Sequence, residues 1–507
     1  MTSTVPNVAQ YLLAGKPPDQ TALTLLQSSH SYHALATQAG LVASHLLRLG
    51  ALKGDRILLI ADNSLFWAAC YLGTMQAGLI TVPVAPSVPA QDLAYLLETT
   101  GAKVVCAQGP VIKAHADWLA HRHLLTDREV PSIAQAASQR SLPSLAADTT
   151  ALNEYAPVGE TDLAALVFTS GSTGKPRGVM VSHGNIVANT DSIISYLSLT
   201  GHDRIMAVLP FHYCYGASLL HTHLRVGGDI VIENRFMYPE TVLQRLIETR
   251  CTGFAGVPSH FQILLRNSSL RNKRFPDLRY VQQAGGYLAP GFILELRAAL
   301  PDTQVFIMYG QTEATARLSF LPPDQLETKL GSIGKGIPDV TLRVVNEHGQ
   351  EVPPGEVGEI VAEGANITQG YWKALQETEE ILRNRVLRTG DLARVDKDGF
   401  IYIVDRAKDF IKCRGEKVSA RQIEEVLLGF DELVEAAVIG IPDDVLGEAV
   451  KAFVVPRKRD ADRIAESLAA FCKTRLPPHH LPKEIVVLPS LPKSSAGKTM
   501  KSALRVL

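Results

Sequence analysis

Over its first four hundred residues the chain repeatedly alternates apolar, β-branched runs with helical patterns, and this alternation narrows the possible folds more than any other feature. Arg56-Ile-Leu-Leu-Ile-Ala61 is a candidate strand, with a helical pattern from Leu65 to Ala77 behind it. Ala102 to Ala107 and Ala164 to Phe168 read as further buried strands. Continuous apolar runs suit strands covered on both faces, so the expected fold class is α/β, with layers around largely parallel sheets. No fixed-period repeat is visible, which argues against a solenoid. At 507 residues the chain exceeds what one core ordinarily serves, so two or more folding units are expected.

The pattern changes from about Gly331 to Ala393. Short strands such as Leu342 to Val345 and Gly358 to Ala362 are punctuated by Gly349 and Pro353-Pro354-Gly355, the mark of a small β-rich module. After Asp405-Arg406 the chain reads as strand, helix, strand, helix, strand: Phe410 to Lys412, Ala420 to Leu428, Val434 to Gly440, Arg463 to Arg475 and Glu484 to Leu488. About a hundred residues suffice for a small separate α+β domain. The expected division is therefore 1–405 for a large N-terminal domain and 406–507 for a C-terminal one.

Hydrophobic residues make up 46% and charged residues 20%, the balance of a globular enzyme. A net charge of -1, with Lys and Arg spread along the chain, argues against a nucleic-acid partner, which needs a basic face. Arg457-Lys458-Arg459 reads as a solvated turn. The six scattered cysteines form no CxxC pair, so neither a disulfide framework nor a structural zinc site is expected, and a reduced, cytoplasmic setting fits. Neither end carries a targeting pattern. The most membrane-like stretch, Ala68 to Pro86, contains Gln76, two glycines and two prolines and reads as a buried helix running into the strand Ile80 to Val84, so no membrane span is expected.

The strand at Leu163 to Phe168 runs into Thr169-Ser-Gly-Ser-Thr-Gly-Lys-Pro-Arg-Gly178. Such a run presents backbone N–H groups and hydroxyls to phosphate oxygens, and Lys175 adds a positive charge. It is neither GxGxxG nor a Walker A loop, because Pro176 follows the lysine where Ser or Thr is required.

Together with four later segments, this string resembles the phosphate loop of the adenylate-forming superfamily of acyl-CoA synthetases, carrier-protein adenylation domains and luciferases, and the similarity runs from about Ser31 to Lys501. Tyr309-Gly310-Gln-Thr312-Glu313 resembles the motif in which Tyr packs on adenine while Thr and Glu serve phosphate and magnesium. Arg388-Thr-Gly-Asp391 resembles the strand end whose Asp binds the ribose hydroxyls. Asp405-Arg406-Ala-Lys408 through Ser419 resembles the interdomain hinge and the loop after it, with Lys408 at the turning point and Gly415 by the thiol tunnel. Leu491 to Lys498 resembles the C-terminal motif with the catalytic lysine. Arg177 stands where the family often has Lys, and keeps the cation.

Adenylation brings a carboxylate against the α-phosphate of ATP, so neutralising charge is the main catalytic need. Under the resemblance, Lys498 supplies a cation where negative charge develops. Lys175 and the amides and hydroxyls of Thr169, Ser170, Gly171, Ser172, Thr173 and Gly174 hold the departing pyrophosphate. Glu313 is the protein ligand for Mg²⁺, which prefers few carboxylates plus phosphate oxygens and water. Asp391 accepts from the ribose hydroxyls, Arg406 contacts ribose or phosphate, and Gly286 borders the nucleotide.

His212, in Pro210-Phe-His-Tyr-Cys-Tyr-Gly216, occupies a segment where the acyl-CoA synthetase branch has a His beside the carboxylate, whereas the amino-acid-activating branch typically has Asp. That weighs against an ammonium-bearing substrate, which would lose its charge partner in a buried pocket. By analogy the acyl pocket is lined by Phe211, Tyr213, Cys214, Tyr215, Val257, Pro258 and Ala284-Gly285-Gly286, which suits a fatty or aromatic acid. His221-Thr-His223 has metal-like spacing on a strand but no supporting cysteine or carboxylate cluster, and His479-His480 reads as a surface loop. The acceptor is a pantetheine thiol. CoA is favoured because no carrier segment is appended, and loading of an acyl or amino acid onto a separate carrier protein is the alternative.

Overall fold

The computed structural model describes residues 5–129, 154–170, 176–406, 410–413, 416–443, 446–457, 461–494 and 497–507. Among these residues four sheets organise the chain. A six-stranded sheet holds His123–Thr126, Val104–Ala107, Arg56–Ile60, Ile80–Val84, Leu163–Ser170 and Pro176–Ser182 in that order. All its pairings are parallel except the last, in which Leu163–Ser170 runs antiparallel to Pro176–Ser182. The apolar runs are thus central strands, and Val104, Val105, Cys106 and Ala107 are all buried. A nine-stranded sheet of largely parallel strands carries Arg204–Ala207, Gly253–Gly256, Tyr280–Gln283 and Gln304–Tyr309 in its middle.

The membrane-like stretch has a packing explanation. The helix Leu65–Gln76 buries eleven of its residues, from Phe66 to Gln76, so it is apolar all round because it is covered all round. Ser64 starts it by accepting the Trp67 N–H at 3.1 Å. Trp67 then stacks on Tyr71 at 4.7 Å and meets Phe211 at 5.4 Å. No helix among the described residues is long and apolar enough to cross a membrane.

The β-rich module is a five-stranded antiparallel sheet built on Val340–Val345, Val357–Gly364, Val386–Val395 and Ile401–Arg406. A smaller α+β unit follows, with Phe410–Cys413, Glu416–Ser419, Leu433–Asp443, Gly447–Pro456 and Glu484–Val487 in one sheet and the helices Ala420–Leu428 and Ala461–Lys473 packed on it. Its central strand, Gly447–Pro456, is not among the strands expected from sequence. Glu448 and Lys451 break its apolar run, and its burial comes from the neighbours on either side. Of the basic knot, Lys458 and Arg459 lie outside the described residues.

One expectation is overturned. His221 and His223 lie on the helix Cys214–Val226, not on a strand. Two residues apart on a helix they point to different neighbours. His221 Nε2 lies 2.8 Å from the Tyr71 hydroxyl, and His223 Nε2 lies 3.0 Å from the Tyr280 hydroxyl. Both are packed into the core as hydrogen-bonded groups, and their spacing has no ligand meaning. His479, on the short turn Pro478–His480, pairs with Glu416 at 3.0 Å.

Candidate active site

Strand register builds the first corner of the site. Antiparallel pairing of Val386–Val395 with Ile401–Arg406 sets Asp391 opposite Arg406, and the Arg406 Nε donates to Asp391 Oδ1 at 3.0 Å. Tyr309, last residue of Gln304–Tyr309, donates its hydroxyl to Asp391 Oδ2 at 2.6 Å. Burial, reinforced by the Asp391 charge, pushes the Tyr309 phenol well above its ordinary pKa, so it stays a donor. Asp391 is only 3% exposed and lies within its strand rather than at the strand end expected from sequence. Each of its oxygens keeps a lone pair beyond the bond it already accepts.

Glu313 follows the strand Gln304–Tyr309, in the short helix Thr312–Ala314. Its Oε1 accepts the Tyr371 hydroxyl at 2.7 Å, and Arg177 stands 5.5 Å from the Tyr371 ring centre. Thr312 donates to the Cys214 sulfur at 3.4 Å. Gly310 is required by close approach: a Cβ there would meet the Ala316 carbonyl at 2.0 Å and Arg317 Cα at 2.8 Å. Tyr371 was not legible as a site residue. It arrives through a bridge to Val179 that no local pattern announces.

Lys498 completes the constellation from the C-terminal unit. Its loop is closed by Ser494, whose N–H donates to the Lys498 carbonyl at 2.8 Å and whose Oγ accepts the Lys498 N–H at 3.3 Å. Ser259, at the start of helix Pro258–Asn267, donates to the Gly497 carbonyl at 3.0 Å and ties this loop to the large domain. The ammonium lies 4.9 Å from the Tyr213 ring centre. Gly285, with φ of +86°, passes so close that a Cβ would stand 2.9 Å from Val257 Cγ1 and 3.4 Å from Lys498 Cε. Burial holds the Lys498 pKa below its ordinary value, opposed by Cys214, Glu313 and Asp391 and reinforced by Arg406. Four groups, from the Cys214 helix, the Glu313 turn and the Asp391–Arg406 strand pair, therefore act on one ammonium.

His212 is pushed down to about 4 by burial, so it is neutral near pH 7 and offers no charge to an ionic partner. Burial likewise raises the Tyr213 phenol and the Cys214 thiol. Phe211 is fully buried and meets Trp67 at 5.4 Å. Gly286 accepts from the Gln283 amide at 2.9 Å, and Thr169 pairs across the sheet with Arg177. Gly171, Ser172, Thr173, Gly174, Lys175, Lys408 and Gly415 lie outside the described residues, and Ser170 is described only by its backbone.

Among the described residues no group of three or more His, Cys, Asp or Glu is placed to hold a metal ion. A lone carboxylate such as Glu313 fits Mg²⁺, a cation that keeps its waters and arrives on phosphate oxygens. Taken together, an acidic acceptor, a metal-competent carboxylate and a partly buried ammonium meet over an aromatic and sulfur floor. Such a group can bind a nucleotide by its sugar and offset charge at a phosphate.

Known proteins match this chain over nearly its whole length. Residues 13–372 match the model for AMP-binding enzymes, and residues 422–498 match that for the AMP-binding enzyme C-terminal domain. The chain is 31% identical to a feruloyl-CoA synthase from an Amycolatopsis species over 496 residues, covering 96% of both chains. It is 30% identical to a long-chain-fatty-acid–CoA ligase of Escherichia coli O6:H1, covering 96% of this chain and 91% of that one. Among solved structures, ATP-bound MatB from Rhodopseudomonas palustris superposes with a TM-score of 0.88 at 27% identity, covering 99% of this chain and 98% of the other.

Proposed function

The chain belongs to the AMP-binding enzyme family and is an AMP-forming acid–thiol ligase by type, and on that premise we propose that it activates a fatty or aromatic carboxylic acid as its acyl-adenylate and passes the acyl group to the thiol of CoA. In the first half-reaction a carboxylate oxygen attacks the α-phosphorus of ATP, and the bond to the departing pyrophosphate breaks. In the second, the thiol sulfur attacks the acyl carbon and AMP leaves.

The observation that carries this reading is Lys498, held by the Ser259–Gly497 bond with its ammonium 4.9 Å from the Tyr213 ring and under the charges of the Tyr309–Asp391–Arg406 cluster and Glu313. In the proposed roles the Lys498 ammonium offsets charge between the attacking carboxylate and the phosphate, where a preorganised cation in a dry site is worth most. Asp391 accepts from the ribose hydroxyls through its remaining lone pairs, and Tyr309 packs on the base. Arg406 steadies Asp391 and lies within reach of the same sugar. Glu313, steadied by Tyr371, would hold Mg²⁺, which supplies charge neutralisation on the leaving phosphates. Lys175, Thr169 and the segment 170–174 cradle pyrophosphate. The same reading makes 1–405 the nucleotide- and acid-binding domain and 406–507 a mobile one, with Lys408 at the hinge and Gly415 by the thiol path.

A neutral His212 supports an acid without an ammonium, because a free amine there would find no anionic partner at that position. The scattered, unpaired cysteines support a reducing, cytoplasmic setting. ATP–pyrophosphate exchange across a panel of fatty, aryl and amino acids tests the reading, followed by mass analysis with CoA and with a phosphopantetheine-bearing carrier. Fatty or aryl acids should drive exchange and CoA should accept. Strong exchange with one amino acid and none with the acids would overturn the substrate assignment; transfer to carrier alone would overturn the acceptor.

A further inference from the structure

Arg317 is one of the largest fully buried side chains in the protein, 1% exposed. Its backbone is pinned: the carbonyl accepts from Asn366 at 2.8 Å and from Asn189 at 3.2 Å. Its guanidinium lies 4.0 Å from the Tyr215 ring centre, and its charge also reaches Tyr213, Cys214 and the Tyr196 hydroxyl. Tyr213 and Cys214 are the residues beneath Lys498. The guanidinium therefore acts on the same two residues as the Lys498 ammonium.

Nε and Nη2 of Arg317 are buried without a hydrogen-bond partner, and no carboxylate pairs with it among the described residues. These two N–H groups form one edge of the guanidinium fork. Elsewhere in this protein that same edge grips carboxylates. Arg235 Nε and Nη2 donate to the two oxygens of Glu233 at 2.8 and 2.7 Å. Arg279 Nε and Nη2 meet Asp203 at 3.3 and 2.9 Å, and Arg250 uses the same pair on Asp277. Stacking on Tyr215 engages one face of the Arg317 plane and leaves that edge unused. Burying such an edge unpaired is costly, and an apolar acyl tail laid against it would leave the cost in place.

We propose that Arg317 is a specificity-determining residue that clasps a second, remote carboxylate of the substrate, so that the acid is a dicarboxylic acid activated at one end and held at the other. The inference rests on the acid-activating reading above and narrows its substrate class. It is tested on the purified full-length enzyme by ATP–pyrophosphate exchange with matched pairs of mono- and dicarboxylic acids, aliphatic and aryl, of equal length. In the wild type the dicarboxylic member of at least one pair should have the higher kcat/KM. Arg317→Met should lower kcat/KM for that acid about a hundredfold, chiefly through KM, the scale of removing one partner of a buried charge pair. Exchange with the matched monocarboxylic acid should hold or rise, whereas a merely structural role would lower both alike. Should Arg317→Met fail to fold, the wild-type preference decides by itself, and Arg317→Lys, which keeps the charge but loses the fork, should show the same selective loss. A wild type that prefers monocarboxylic acids in every pair overturns this inference alone. A wild type that shows exchange with no acid overturns the activating reading, and this one with it.

Discussion

Lys498 owes its chemistry to where its ammonium is held. Burial lowers its pKa while Cys214, Glu313 and Asp391 pull it back up, so it gives up its proton more readily than a lysine in water. Under the proposed mechanism the protonated form is the working one. Adenylation should therefore decline on the alkaline side at a pH below the ordinary lysine value of about 10.4. A pH profile of pyrophosphate exchange with that limb at or above the ordinary value would count against the assignment. Lys498→Ala should cut exchange by about a hundredfold or more, the scale of removing a preorganised charge-stabilising group. Thioester formation from a preformed acyl-adenylate should be largely spared, because the cation is needed only while pyrophosphate is displaced. Near-normal exchange in the variant would sink the role.

Under the proposed two-step reaction, elements rather than single residues set the pose of the small unit. In this structure the Lys498 loop is docked: Ser259 holds Gly497, and the Tyr287 hydroxyl donates to Glu425 at 2.9 Å while Arg421 stacks on its ring at 3.4 Å. The helix Ala420–Leu428 thereby brings the small unit against the large one. The strands Ile401–Arg406 and Phe410–Cys413 belong to different sheets, and the proposed hinge, Lys408, falls between them in the sequence. Hinges absorb a φ/ψ change at a few such residues, whereas proline locks φ and restricts the residue before it. Lys408→Pro should leave pyrophosphate exchange mostly intact and cut thioester formation severely. Both half-reactions assayed on the same preparation decide the matter. A parallel fall assigns Lys408 to catalysis or folding, and no fall puts the hinge elsewhere.

At the scale of the whole molecule, buried neutral histidines set a limit on acid stability. His183, His221, His223 and His260 are pushed down to about 4, 3, 4 and 3, each chiefly by burial. His183 also accepts the Val8 N–H at 3.1 Å, a bond that protonation of that nitrogen would forbid. In the unfolded chain each titrates near 6.5, so below that pH the unfolded state binds more protons. Their stabilisation is complete above about pH 6.5 and is lost as pH falls toward the folded values. Each should forfeit about 2 kcal/mol by about pH 5, at roughly 1.4 kcal/mol per unit. Urea unfolding midpoints should drop steeply between about pH 6.5 and 5, and replacing His221 by Gln should flatten the slope. A flat midpoint across that range would show these groups to be charged or exposed.

The α/β layering, the small C-terminal unit and the segments that carry Tyr309, Glu313, Asp391, Arg406 and Lys498 were legible in the chain, whereas Tyr371 was not. Each is written in short-range pattern: apolar runs make buried strands, and a Gly-Ser-Thr string or a Tyr-Gly-Gln-Thr-Glu string carries its chemistry within a few residues. Tertiary structure decided everything that depends on what packs across a long separation. It set His221 and His223 on a helix against Tyr71 and Tyr280 and brought Tyr371 to Glu313. It also buried the Arg317 edge without a partner. Residue type states what a side chain can donate or accept; only the fold states what is there to receive it.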